Sequence, residues 1–183
     1  AAKKHINNQF YTYLYNTSST ATDIKIFPMP PLSFSGSGTE TDPYLISSAA
    51  QLKELSYRVN NQNDLFGDSH YKLTNDIVLN GDIENNPEHW IPIGSSRDEA
   101  FTGVFDGNGN TISGLYIDGE ATYSGLFGYV NGGTVKNLGL TNGYIASSKA
   151  YSYSGGIIGF NHDGTVEDCY NTGTVKGTFA GGI

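Results

Sequence analysis

Apolar positions along the chain change rhythm three times, and each rhythm predicts a different element. In residues 1–35, Phe10–Tyr15 is a run of strand formers and Asp23–Phe27 alternates with period two, with polar Asn16–Thr20 between them. Pro28, Pro30 and Pro31 then end regular pairing. This pattern predicts a hairpin or the tail of a preceding domain; an arm adding a strand to a neighbouring subunit is the alternative. Residues 36–46 read as a Gly- and Ser-rich turn entering a short strand. The rhythm next becomes helical: Ala49, Leu52, Leu55 and Val59 share one face, and Ser48 with Gln51 forms a capping box. One N-terminal capping α-helix over about 48–60 is expected, covering a sheet edge or core end that would invite aggregation if left bare. Tyr71–Leu79 reads as a bent strand or strand pair, followed by a loop with Asn85, Asn86 and Pro87 and by the apolar stretch Trp90–Gly94.

From about residue 101 the chain resembles itself. Gly103–Asp106, Gly125–Gly128 and Gly156–Gly159 share one glycine-apolar-apolar shape, which Gly182-Ile183 begins again. Asn110–Ile112, Gly133–Val135 and Gly164–Val166 form a second set, and Gly143–Ile145 with Gly173–Val175 a third. Successive starts of the first set lie 22, 31 and 26 residues apart, in the range of solenoids and arrays. No segment is long enough for a helical face, so the expected architecture is all-β, a right-handed parallel β-helix in which inward residues stack in columns. Alternation around Lys136 sends Val135 inward, with Ile112 and Val166 expected in the same column and Thr111, Thr134 and Thr165 on the outside.

The units Tyr123–Tyr129 and Ser154–Phe160 resemble GLUG repeats, named for a glycine, leucine, any residue, glycine pattern. Gly38–Glu40, Asp42–Ile46, Leu73–Ile77, Trp90–Gly94, Phe105–Gly109 and Cys169–Gly173 resemble the usual approach to such arrays, so the likeness covers residues 36–183 and leaves out 1–35. Ile157 stands where leucine is expected, a conservative change in a core column. The resemblance implies a right-handed β-helix in a bacterial surface or secreted protein, a module of a longer chain, and it carries over no catalytic residues.

Composition narrows the partners. Gly, Asn, Ser and Thr account for 74 of 183 residues, which favours turns and short strands over helices. With 18 acidic against 10 basic residues the net charge is -8, which argues against nucleic acid. No stretch approaches a membrane span. The expected location is extracellular or cell-surface. Protein or carbohydrate is the expected partner there; the alternative is a self-assembling subunit that stacks head to tail into a filament through the open C-terminal rung and the 1–35 arm.

Candidate chemistry is sparse, and no catalytic residue is assigned. Asp106, Asn108 and Asn110 place oxygens at alternate positions as a calcium loop does, although Thr111 and Ile117 stand where such a loop needs glycine and glutamate. A turn between strands explains the same residues. The acids Asp106, Asp118, Asp163, Glu167 and Asp168 are the material for a glycosidase pair, which would make the chain a carbohydrate-active β-helix enzyme, a polysaccharide lyase or hydrolase. They scatter over corners as a solvated surface does. For ligand binding the aromatic candidates are Tyr151 and Tyr153, in the longest insertion, and Trp90, the single tryptophan. Cys169 is the single cysteine and reads as a small core residue.

Overall fold

The computed structural model describes residues 31–183 throughout and, before them, the strands Lys3–Ile6 (β1), Gln9–Leu14 (β2) and Lys25–Pro28 (β3). The chain divides into two units, Ala1–Ser33 and Phe34–Ile183. In the first, β1, β2 and β3 form an antiparallel sheet in which Leu14 faces Lys25 and Tyr11 faces Pro28. The expected turn Asn16–Thr20 lies outside the described residues.

The second unit is mostly β and its strands pair in parallel. It opens with β4 (Tyr44–Ile46), α1 (Ala49–Asn61), α2 (Asn63–Phe66), β5 (His70–Leu73) and β6 (Ile77–Val78). Three repeats follow. The first holds β7 (Val104–Asp106), β8 (Thr111–Ser113), β9 (Tyr116–Gly119), β10 (Tyr123–Ser124) and β11 (Phe127–Asn131). Next come β12 (Thr134–Lys136), β13 (Gly139–Thr141), β14 (Tyr144–Ser147), β15 (Tyr153–Gly155) and β16 (Ile158–His162). The third contributes β17 (Thr165–Glu167), β18 (Tyr170–Asn171), β19 (Thr174–Lys176) and β20 (Phe179–Gly181). Five parallel ladders run across the repeats, in the orders β4-β5-β7-β12-β17, β6-β8-β13-β18, β9-β14-β19, β10-β15-β20 and β11-β16.

Three of the ladders carry an apolar inner file that is buried up to its last rung, where Val166 and Val175 are half-buried. Tyr44, Tyr71, Phe105, Val135 and Val166 follow one another in the first. Ile77, Ile112 and Leu140 do so in the second, and Ile117, Ile145 and Val175 in the third. Fully burying one such side chain contributes about 1.5–3 kcal/mol. Outward residues also stack, and Lys72, Asp106, Lys136 and Glu167 form a column of alternating charge. A slip of one residue would put valine outside and lysine inside, so these columns hold the register.

The observed register corrects the expected one. Ile112 pairs with Ile77 and Leu140, whereas Val135 lies between Phe105 and Val166. Likewise Thr134 pairs with Thr165, but Thr111 faces Gly139, so the three threonines form no column. Gly103–Asp106 does not align with Gly125–Gly128. The partners of Phe127 are Ile93 and Ile158. The glycine-apolar shape recurs on two faces of each repeat and therefore cannot set the frame. The pairing does: Val104, Thr134 and Thr165 lie 30 and 31 residues apart.

The helix begins where its capping signal places it, with Ser48 Oγ accepting from the Gln51 N–H, and Leu52, Leu55 and Val59 are buried. It joins the parallel neighbours β4 and β5, so it stands inside the first crossover and does not precede the stack. The free side of β4 is met instead by Ser35, whose carbonyl accepts from the Leu45 N–H. Among the described residues no helix is long and apolar enough to cross a membrane.

Candidate binding site

The longest departure from the repeat lies between β6 and β7, where residues 79–103 contain no strand. This segment and the outward face of α1 enclose a cleft of about 390 Å³. The seat of the loop is fixed by backbone pairing: the Trp90 N–H donates to the Tyr116 carbonyl, Ile93 to Leu126, and Gly128 back to Ile93. Helix α1 clamps the same stretch. Ser56 Oγ donates to the Ile91 carbonyl at 2.7 Å, Asn60 Nδ2 donates to the Pro92 carbonyl at 2.9 Å, and Asn60 Oδ1 accepts from the Ser95 N–H at 2.9 Å. Lys53 and Glu88 form an ion pair between helix and loop. Being exposed, that pair adds little to stability.

Above this clamped floor two apolar side chains stand in water, Tyr57 at 60% exposure and Ile91 at 64%. Asn61, His89 and Glu99 also line the cleft. The Asn61 amide nitrogen donates to the Tyr57 carbonyl, which orients its carbonyl oxygen. Glu99 accepts from Ser96, and the His89 ring packs edge-on against Tyr116 at 4.9 Å. Sequence reading had no means of finding Tyr57: it sits on the polar side of an amphipathic helix, where one aromatic residue carries no periodic signal.

The residues singled out by sequence are scattered. Trp90 lines the same cleft, but its indole is only 5% exposed and its Nε1 donates to the Leu126 carbonyl at 3.0 Å. Tyr151 is 74% exposed and left-handed at φ 60°. Tyr153, two residues on, is half-buried: it stacks between Tyr123 and Phe179 at 5.9 and 5.1 Å and meets Phe160 edge-on at 5.0 Å. Rings stacked along a ladder cover each other's faces, so this column offers edges to solvent.

The candidate calcium side chains are engaged in a turn. Asp106 Oδ1 accepts from the Asn108 N–H at 2.8 Å and from Asn137 Nδ2 at 2.9 Å. Asn108 Nδ2 donates to the Leu73 carbonyl and Asn110 Nδ2 to the Gly107 carbonyl. Asn108, Asn137 and Asp168 are all left-handed, at φ 54°, 54° and 49°, so one corner conformation recurs from repeat to repeat. Among the candidate acids, Asp106 and Glu167 flank Lys136 in one column, Asp118 accepts from the Tyr116 hydroxyl at 3.4 Å, and Asp163 lies 3.6 Å from His162. Among the described residues no three His, Cys, Asp or Glu side chains are grouped to hold a metal. Cys169 is half-buried, and burial pushes its thiol pKa up, away from the reactive thiolate.

The glycine motif has a steric cause. A Cβ on Gly159 would lie 2.8 Å from the Ser124 nitrogen and 2.9 Å from the Gly128 carbonyl, and one on Gly125 would lie 2.9 Å from the Gly155 carbonyl. Neighbouring repeats touch backbone to backbone at this corner, while Leu126 and Ile157 between the glycines are wholly buried.

Residues 150–176 match the family described as the GLUG motif, so the chain carries a GLUG-repeat segment. It is 40% identical over 146 residues to Halomucin of Haloquadratum walsbyi, covering 78% of this chain and 2% of that protein. It is 36% identical over 129 residues to a candidate Gly-rich membrane protein of Evansella cellulosilytica, covering 69% of this chain and 14% of that one. The chain thus spans a small fraction of both relatives. Among solved structures it is similar to a candidate immunoglobulin A1 protease from Bacteroides ovatus, with a TM-score of 0.54, 21% identity, and coverage of 76% of this chain and 50% of that one. At that identity the likeness concerns the fold.

Proposed function

We propose that the chain is a right-handed parallel β-solenoid acting as a non-catalytic structural and adhesive module of a cell-surface or secreted protein. The observation that carries this reading is the engagement of the corner polar groups: Asp106, Asn108, Asn110 and Asn137 hold turns and neighbouring repeats together. Handedness rests on β4, α1 and β5, a crossover between parallel neighbours in one sheet, which is right-handed in about 98% of such connections. The surface location is supported by the GLUG segment and by relatives named Halomucin and a candidate Gly-rich membrane protein, in which this stretch is one short part. A rod of stacked repeats suits such a setting because each added repeat lengthens it without altering the packing of the last.

Antibody raised against the chain should label intact cells of the source organism. Labelling only after lysis contradicts the surface role. Incubation with neutral and acidic polysaccharides should yield no new reducing or unsaturated ends. Turnover that disappears in Asp106→Asn or Asp163→Asn would establish the enzymatic alternative.

A further inference from the structure

We infer that the cleft between α1 and the 88–99 segment is a binding site for neutral pyranose sugars. The inference rests on the cleft's own geometry and names a ligand class for the surface module. A pyranose presents an apolar face of C–H groups and a rim of hydroxyls that both donate and accept. The cleft offers the counterpart of each. Tyr57 supplies an exposed aromatic ring and Ile91 a second apolar contact, and aromatic side chains bring a large rigid surface at low entropic cost. Asn61, His89, Ser95 and Glu99 supply hydroxyl partners of both kinds.

Two further features favour a small ligand. The site is preorganised, because Ser56 and Asn60 tie the loop backbone to a helix and little ordering remains when a ligand arrives. Its volume of about 390 Å³ falls within the range of small-molecule clefts. Charge selects among sugars. The one ammonium group in the lining, Lys53, is paired with Glu88, and Glu99 adds a further carboxylate. The cleft therefore offers no unpaired lysine or arginine to receive a uronic acid or sulfated sugar, His89 being its other basic side chain, and an anionic ring would approach a carboxylate.

The test is a titration of the full chain with lactose, cellobiose, maltose and mannobiose, with digalacturonic acid as the anionic arm, followed by 1H–15N NMR. At least one neutral disaccharide should give saturable shifts at the Trp90 indole N–H and at the Tyr57 and Ile91 amides. Tyr57→Ala should weaken that binding about tenfold, while Tyr57→Phe, which keeps the ring, should leave it within about twofold. Circular dichroism of the variants confirms that the fold is retained. Absence of saturable shifts with all four neutral sugars overturns the inference, as does binding indifferent to Tyr57→Ala or a preference for digalacturonic acid. Cell-surface labelling is read independently, so loss of the sugar site leaves the surface-module reading standing.

Discussion

The leading part of the second unit, residues 34–103, and the repeats after it solve the same packing problem with different side chains. In the leading part a run of rings threads an interior that also holds Leu52, Leu55, Val59, Leu73 and Ile93: Phe34, Tyr44, Tyr71, Phe66 and Phe101 meet ring to ring, and Phe101 passes the contact to Phe127 and thence Phe105. In the later repeats Val135, Leu140, Ile145, Ile157 and Ile158 fill the corresponding space. A repeating rung meets the same neighbour above and below, so a small aliphatic residue in register suffices. The leading part must join strands to a helix and an irregular loop, and large rings bridge those uneven gaps. The polar groups differ in the same way. Repeat residues such as Asp106 and Asn137 hydrogen-bond within the scaffold, whereas the helix and loop leave Tyr57 and Ile91 facing solvent beside a cleft.

The seam at Phe127 tests that division most severely. Phe127→Ala empties a site shared by both cores and should lower urea-unfolding stability by about 3–5 kcal/mol. Tyr71, whose hydroxyl donates to the Phe66 carbonyl at 2.7 Å, gives the leading part an alkaline weakness. Burial holds its pKa well above the usual tyrosine value. The folded state therefore keeps a proton that the unfolded chain gives up. That stability is whole below pH about 10 and falls by about 1.4 kcal/mol per pH unit above it. Tyr71→Phe should flatten this part of the pH–stability curve.

Effects confined to the repeats should be smaller. Asn137→Ala removes the bond to Asp106 and puts alanine at φ 54°, with an expected loss of about 1–2 kcal/mol. Lys136→Glu makes three successive carboxylates of the column Asp106, Lys136 and Glu167 and should cost about 0.5–1 kcal/mol at low salt, less as salt is added. Tyr57→Ala, outside both cores, should change stability by less than about 0.5 kcal/mol. A large loss there would mean that the ring supports the fold.

Much of this fold is legible in the sequence because short-range signals and long-range pairing agree. The Ser48 cap, the helix expected over about 48–60 and found over 49–61, and the alternation around Val135 follow from spacing alone. The frame of the repeat does not. Gly103-Val104-Phe105 and Gly125-Leu126-Phe127 look alike because both precede a strand whose apolar side chain turns inward, yet they stand on different faces. Only hydrogen bonding between repeats separates them. The cleft was hidden for a related reason: Tyr57 and Ile91 come from a helix and a loop 34 residues apart and are joined by Ser56 and Asn60, which periodicity does not reveal.

Cysteine pairing reads the register directly, in a chain whose native Cys169 has been replaced by alanine. Asp106 and Lys136 are paired neighbours on the outer surface, at a strand spacing of about 4.8 Å that a disulfide spans. Asp106→Cys with Lys136→Cys should therefore oxidise to an intramolecular disulfide, and Ser113→Cys with Lys136→Cys should not. The opposite outcome would place Ile112 beside Val135 and contradict the 30-residue repeat on which this account stands.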